Sequence, residues 1–298
     1  MRAALHAALI LRLARRRSGA VGAALVYHRV GGGTTLDMAL AEHEFLGQLD
    51  HLRDAYRVVP PARLVEAAAE RRRGHPFPVA LTFDDDSQSH TRVSAPALRS
   101  RRLPAAFFLT GASLDSVTPP WWDDLERLGY APGLEGRPVA EAARAIESMR
   151  KPERAALAAA LRRLAPPGGE PGLSRAEVRR LAGDGFEIGF HSRDHDPFPT
   201  LADDEVEAAV VAGRGALAEA AGQDIDSFAY PHGLADPRAV AALRAAGYAR
   251  AFTGAAEPVT GTTEPLLVPR YQAATSADGL RIHLARVCAA AVAAAGAA

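Results

Sequence analysis

Val79 to Phe83 is an apolar run that ends abruptly in three successive carboxylates, Asp84-Asp85-Asp86. The run predicts a short buried strand. Three adjacent acids at the mouth of a buried strand are costly unless positive charge meets them there. His191-Ser192-Arg193-Asp194-His195, far along the chain, offers a partner. An acid pair at one strand end with an H-x-x-x-H at another makes the donor set of a divalent-metal site.

The bulk composition narrows the chemistry. Lys+Arg 35 balances Asp+Glu 35, so no global field draws the chain to nucleic acid. Cys288 is the single cysteine, which excludes an internal disulfide and any multi-cysteine zinc site. A metal must therefore be held by histidine and carboxylate. No stretch reaches the roughly 18–20 apolar residues that span a bilayer. In residues 1–22, Arg15, Arg16 and Arg17 follow the apolar run, whereas a secretory signal places charge before it. We expect a cytoplasmic protein with a basic N-terminal segment whose membrane contact is at most a weak surface one.

Short apolar strands alternate with helices. Strands are expected at 23–27, 57–59, 79–83, 105–110, 186–190, 227–230, 248–252 and 266–268. Helices are expected at 42–56, 64–73, 94–102, 152–164, 203–221, 237–246 and 277–298, and one from Ser174, where Glu177 completes a capping box. The alternation predicts an α/β fold, with 23–298 as one domain. About 113–172 reads as a helical insertion with too few large apolar residues for its own core. His28, Asp84, Asp85, His191 and the Tyr230-Pro231 step all fall at C-terminal strand ends, the catalytic rim of parallel α/β barrels.

An H-x3-H pair taken alone is equally two surface histidines, and Asp86 or Ser87 could simply cap a turn. A cap explains one acid of three. Near an ion, Asp84 and Asp85 both stay ionised, one on the metal and one accepting a proton from water. Trp121-Trp122 fits packing better than sugar stacking. Arg193 reads as a solvated arginine, and His90, His232 and His283 as incidental.

Thr82-Phe83-Asp84-Asp85 resembles the first motif of the polysaccharide deacetylase family (NodB homology domain, carbohydrate esterase family 4), and His191-Ser192-x-x-His195 its second. Phe228-Ala229-Tyr230-Pro231-His232-Gly233 is similar to the third motif in the branch reading Y-P-x-G. Val26-Tyr27-His28-Arg29-Val30 is similar to that branch's early histidine segment.

The resemblance implies a deformed (β/α)7 barrel that removes acetyl groups from N-acetylated sugars of a polysaccharide or glycoconjugate. It implies Asp84 as general base, Asp85, His191 and His195 as metal ligands, and His28 as general acid. It further implies the Tyr230 backbone N–H as oxyanion donor and Arg270 as the group orienting Asp84. Zn²⁺ is the default ion for such ligands, with Co²⁺, Ni²⁺ or Fe²⁺ allowed. The chain departs from the family where Asp86 replaces a usual glycine, where Ser87 and His90 stand for tyrosine and asparagine, and where Ala229 replaces an arginine. If the turn needs a left-handed residue at Asp86, aspartate tolerates it better than most. The rival readings are a glycan-binding barrel without turnover and a hydrolase of another amide or ester.

Overall fold

The computed structural model describes residues 2–31, 39–115 and 119–295. Its strands are β1 (Val21–Tyr27), β2 (Arg57–Val58), β3 (Pro78–Asp84), β4 (Ala106–Leu109), β5 (Glu187–Phe190), β6 (Ser227–Ala229), β7 (Arg250–Phe252), β8 (Val259–Thr260) and β9 (Tyr271–Gln272). The helices are α1 (Arg2–Arg15), α2 (Glu42–Ala55), α3 (Leu64–Ala69), α4 (Ala95–Arg101), α5 (Trp121–Leu128), α6 (Val139–Glu147), α7 (Lys151–Leu164), α8 (Arg175–Gly183), α9 (Asp203–Val211), α10 (Arg214–Ala221), α11 (Pro237–Ala245) and α12 (Ala277–Ala295). Residues 296–298 of the expected last helix lie outside the described residues.

The sheet runs β7-β6-β5-β4-β3-β1-β8, parallel except for β8 against β1. A short segment narrows the remaining gap. Val268 bridges to Phe252 of β7, and Tyr271 of β9 pairs with Leu25 of β1. Arg270 lies between those two contacts. The result is the expected deformed α/β barrel.

Side chains along a strand alternate between two buried faces. Ala24, Ala80, Ala106, Phe108, Ala229 and Phe252 cluster inside the barrel, while Leu25, Leu81, Phe83, Phe107, Phe190 and Phe228 pack outward against the helices. Four alanines inside, around only two phenylalanines, against large residues outside let the sheet curl. Gly189 is required by this curl, because a Cβ there would sit 2.3 Å from the Phe108 ring. The same parity aims the strand ends. Asp84 is in phase with inward Ala80, and His28 with Ala24; both face the lumen.

Several expectations change. Residues 265–267 form a 3-10 turn rather than a strand, leaving Val268 with only its bridge. The 203–221 helix breaks at Gly213, whose φ of 97° is left-handed. The helix from Leu64 stops at Ala69, and the buried Arg71 side chain instead donates to the Gly19 carbonyl. The insertion does hold a small core of its own, made by Leu125, Ala142, Ala143, Ile146 and Leu161 of α5, α6 and α7 with Ala131. Three alanines let the helices approach closely around Leu125, Ile146 and Leu161, with Trp121, Leu128 and Leu157 packed against them. The Ser174–Glu177 capping box forms at the start of α8.

Candidate metal centre and active site

β3 and β5 are both parallel neighbours of β4, so their C-terminal ends open on one rim. The chain turns sharply there. Asp85, Ser192, His195 and His232 are four of the five described non-glycine residues with positive φ. Each such conformation costs on the order of 1 kcal/mol and persists only where the surroundings enforce it.

Asp85, His191 and His195 come together, their ligand atoms all within 4.8 Å of one another. Asp85 Oδ1 lies 3.4 Å from His195 Nε2 and 3.7 Å from His191 Nε2. Two atoms bound tetrahedrally to one ion at about 2.1 Å are about 3.4 Å apart, so this triangle has the size a Zn²⁺-like cation requires. The tautomer fits as well. His191 Nδ1–H donates to the Ala229 carbonyl at 2.8 Å, which leaves the Nε2 lone pair facing the triangle. Burial lowers the pKa of His191 and pushes His195 well below 6.5, so both rings are neutral and able to ligate. These residues fit a divalent ion.

Asp84 stands beside the triangle, its Oδ2 3.8 Å from His191 Nε2. Only 3% exposed, it would be pushed up by burial alone, but Arg270, and then His191, hold it below the usual carboxylate range. Arg270 donates to both Asp84 oxygens at 2.7 Å, and its own position is set by Thr82 Oγ1 and the Thr253 carbonyl. The bidentate clamp fixes the carboxylate plane and keeps it ionised.

His28 lines the same cavity. Burial lowers it to about 4 against the opposing pull of Asp84, and its Nδ1 finds no hydrogen-bond partner among the described residues.

Tyr230 does not join them. Its backbone N–H already donates to the Phe252 carbonyl at 3.0 Å, and its phenol donates to the Leu266 carbonyl at 3.1 Å in the outer core. Strand parity explains the phenol, since Tyr230 is in phase with outward Phe228, and the N–H is taken because it lies in the sheet plane toward β7. Pro231 has no N–H, so the next backbone donor along the chain is that of His232, which lines the cavity and is left-handed at φ 57°. The His232 ring lies 4.6 Å from that of His195, and it is not incidental.

His90 is not incidental either. Fully buried, its Nε2–H reaches the carbonyls of both Asp84 and Asp85 at 3.0 Å and pins the turn between them. The left-handed residue of that turn is Asp85, φ 70°, and not Asp86. Asp86 is instead locked on β4's end, accepting from Thr110 N–H at 2.9 Å and Thr110 Oγ1 at 2.6 Å. Burial raises its pKa despite these bonds. His283 is the histidine that does stay apart, its ring against Tyr271.

Two cavities, of about 620 and 200 Å³, meet at a wall shared by His28, Asp85, Trp122 and His195. The insertion supplies the outer side. The Trp122 ring lies 5.2 Å from that of His195, and α7 holds the second-motif loop through Arg154 to Asp196 and Lys151 to Asp194. Arg193 is exposed at the mouth.

The fold resembles several solved enzymes. IcaB from Ammonifex degensii superposes with TM-score 0.63 at 22% identity, covering 90% of this chain and 98% of that one. Streptococcus pyogenes deacetylase PplD, solved in complex with acetate, gives 0.61 at 14%, covering 88% and 97%. A de-N-acetylase from Aggregatibacter actinomycetemcomitans gives 0.55 at 14%, covering 84% and 94%. No curated protein matches the sequence. A family model described as polysaccharide deacetylase matches residues 71–251, more than half of the sequence, and the chain belongs to that family.

Proposed function

We propose that this protein is a metal-dependent N-deacetylase acting on N-acetylated sugars of a polysaccharide or glycoconjugate. The observation carrying this reading is the Asp85–His191–His195 triangle with an Arg270-clamped Asp84 beside it. Family membership and fold neighbours that include a de-N-acetylase support it.

A divalent ion held by Asp85, His191 and His195, Zn²⁺ by default with Co²⁺, Ni²⁺ or Fe²⁺ allowed, would polarise the amide carbonyl and make water more acidic. Asp84 takes the proton of the attacking water. Its low basicity suits a site where that water is already acidified, and the Arg270 clamp keeps its free lone pairs in one direction. The His232 backbone N–H takes the oxyanion role that Tyr230 cannot fill. His28 is neutral at rest, so it acts as the acid only after receiving the proton that Asp84 took from water, a transfer that restores the Asp84 carboxylate whose charge raises the basicity of His28. It then protonates the departing nitrogen. Amide and water leave as acetate and a free amine.

Acetate release from N-acetylated oligosaccharides with added Zn²⁺ or Co²⁺ tests this. Asp84→Asn is expected to lower kcat about 10²–10⁴-fold. Wild type and Asp84→Asn releasing acetate alike would refute the assignment, and turnover of simple acetyl esters but no N-acetyl sugar would move the substrate to another class.

A further inference from the structure

α1 uses only half of its apolar surface within the fold. Ala7, Leu11 and Ala14 are buried, with α1 packed on α12. Leu5, Leu9 and Leu13, each four residues apart and so on one face, are 66%, 53% and 52% exposed. Scattered exposed leucines need no explanation, but a helical row of them does.

The charge at the C-terminal end of that row is cationic, while Asp50 and Asp54 line a groove along the Ala7–Leu11 side of the helix. α1 carries no acidic side chain, and Arg12, Arg16 and Arg17 at its end are exposed. The fold brings more. The Gly74 N–H donates to the Arg15 carbonyl at 2.7 Å, and Arg71, stacked on Phe77, donates to the Gly19 carbonyl at 2.8 Å. These bonds pin the 71–75 loop beside the end of α1, with Arg72 and Arg73 exposed. Glu70 is the exposed acid next to it. In a chain whose charges balance overall, cationic side chains have been gathered at the end of an exposed apolar stripe.

We propose that α1 and the arginine loop form a docking surface for an anionic lipid bilayer. The helix lies in the interface plane, with the leucine row in the headgroup boundary and the arginines on the anionic headgroups. Each arginine close to such a surface strengthens binding roughly five-fold, and the contribution fades within a Debye length, so attachment is reversible and salt-sensitive. One amphipathic helix does not anchor irreversibly. The surface is separate from the metal centre and does not depend on its assignment.

Flotation of the purified full chain with phosphatidylcholine vesicles, with and without phosphatidylglycerol, is the test. The wild type is expected in the lipid fraction at least about ten-fold more with the anionic vesicles, and to be released by raised salt. Leu9→Asp and the double variant Arg16→Glu/Arg17→Glu are each expected to lower recovery at least about five-fold with unchanged thermal unfolding, since all three side chains are exposed. Should Leu9→Asp alter unfolding, the arginine variant decides. No flotation on anionic vesicles at low salt, or flotation unchanged in the variants, overturns the proposal. A dimer in light scattering that Leu9→Asp splits, without flotation, assigns the face to a second copy and also overturns it.

Discussion

The two loops that would deliver the metal ligands are held in different ways. In the 84–90 loop the left-handed turn at Asp85 is fixed from close by: His90 clasps two carbonyls a few residues upstream, and Asp86 is bonded to Thr110 on the adjacent strand. The 191–196 loop contains two left-handed residues, Ser192 and His195, and is held from afar by Arg154 and Lys151 of the insertion. The first loop is held by its own His90 and by the adjacent strand, whereas the second borrows its shape from α7. The insertion is thus part of the site's scaffold, even though its own core is small.

Breaking the distant support should do the most damage. Arg154→Ala leaves Asp196 buried beside a vacated guanidinium site, and truncating one partner of a buried pair costs about 3–5 kcal/mol. Chemical denaturation is expected to show that loss. Metal titration should show affinity falling about 10–100-fold, as for loss of outer support to a ligand. Wild-type affinity in a folded Arg154→Ala protein would break the comparison. His90→Leu tests the near support. Its lost bonds to the Asp84 and Asp85 carbonyls should cost about 1–3 kcal/mol in the same denaturation assay. A larger effect than that of Arg154→Ala would invert the ranking of the two loops.

Acid offers a smaller check from outside both loops. Burial, then the charge of Arg281, lowers His51 to about 4, below its ordinary 6.5. The unfolded chain therefore takes the proton first as pH falls. The contribution of His51 is whole above about pH 6.5 and drains away toward pH 4. His51→Gln is expected to flatten the thermal-stability profile over that window and leave it unchanged at neutral pH. An unaltered acid limb would return that sensitivity to the loops.

What could be read from the sequence follows the same divide. Strand alternation and the β3 acids are local patterns, so the barrel and the site of Asp84, Asp85, His191 and His195 were legible. Period-two parity turns the Tyr230 side chain outward with Phe228, but the capture of its N–H by Phe252 depends on the neighbouring strand and has no local signature. The left-handed residue moved by one, from Asp86 to Asp85, because Thr110 captures the Asp86 carboxylate across strands, and no local pattern signals that bond. His90 and His232 were passed over for the same reason. A buried histidine between two carbonyls has no sequence signature, and the His232 N–H becomes the available donor only once Phe252 has taken that of Tyr230. Arg154 lies 42 residues from Asp196, inside the segment that reads as a helical insertion without a core of its own.

The claim on which the rest depends is that Asp85, His191 and His195 jointly hold one cation while Asp84 stays off it. Metal content of the purified wild type, Asp84→Asn and His191→Ala proteins, measured by plasma mass spectrometry after identical Zn²⁺ loading and desalting, tests it directly. The account predicts about one equivalent per chain in the wild type and in Asp84→Asn, and almost none in His191→Ala. Equal metal in all three, or none in the wild type, would contradict it.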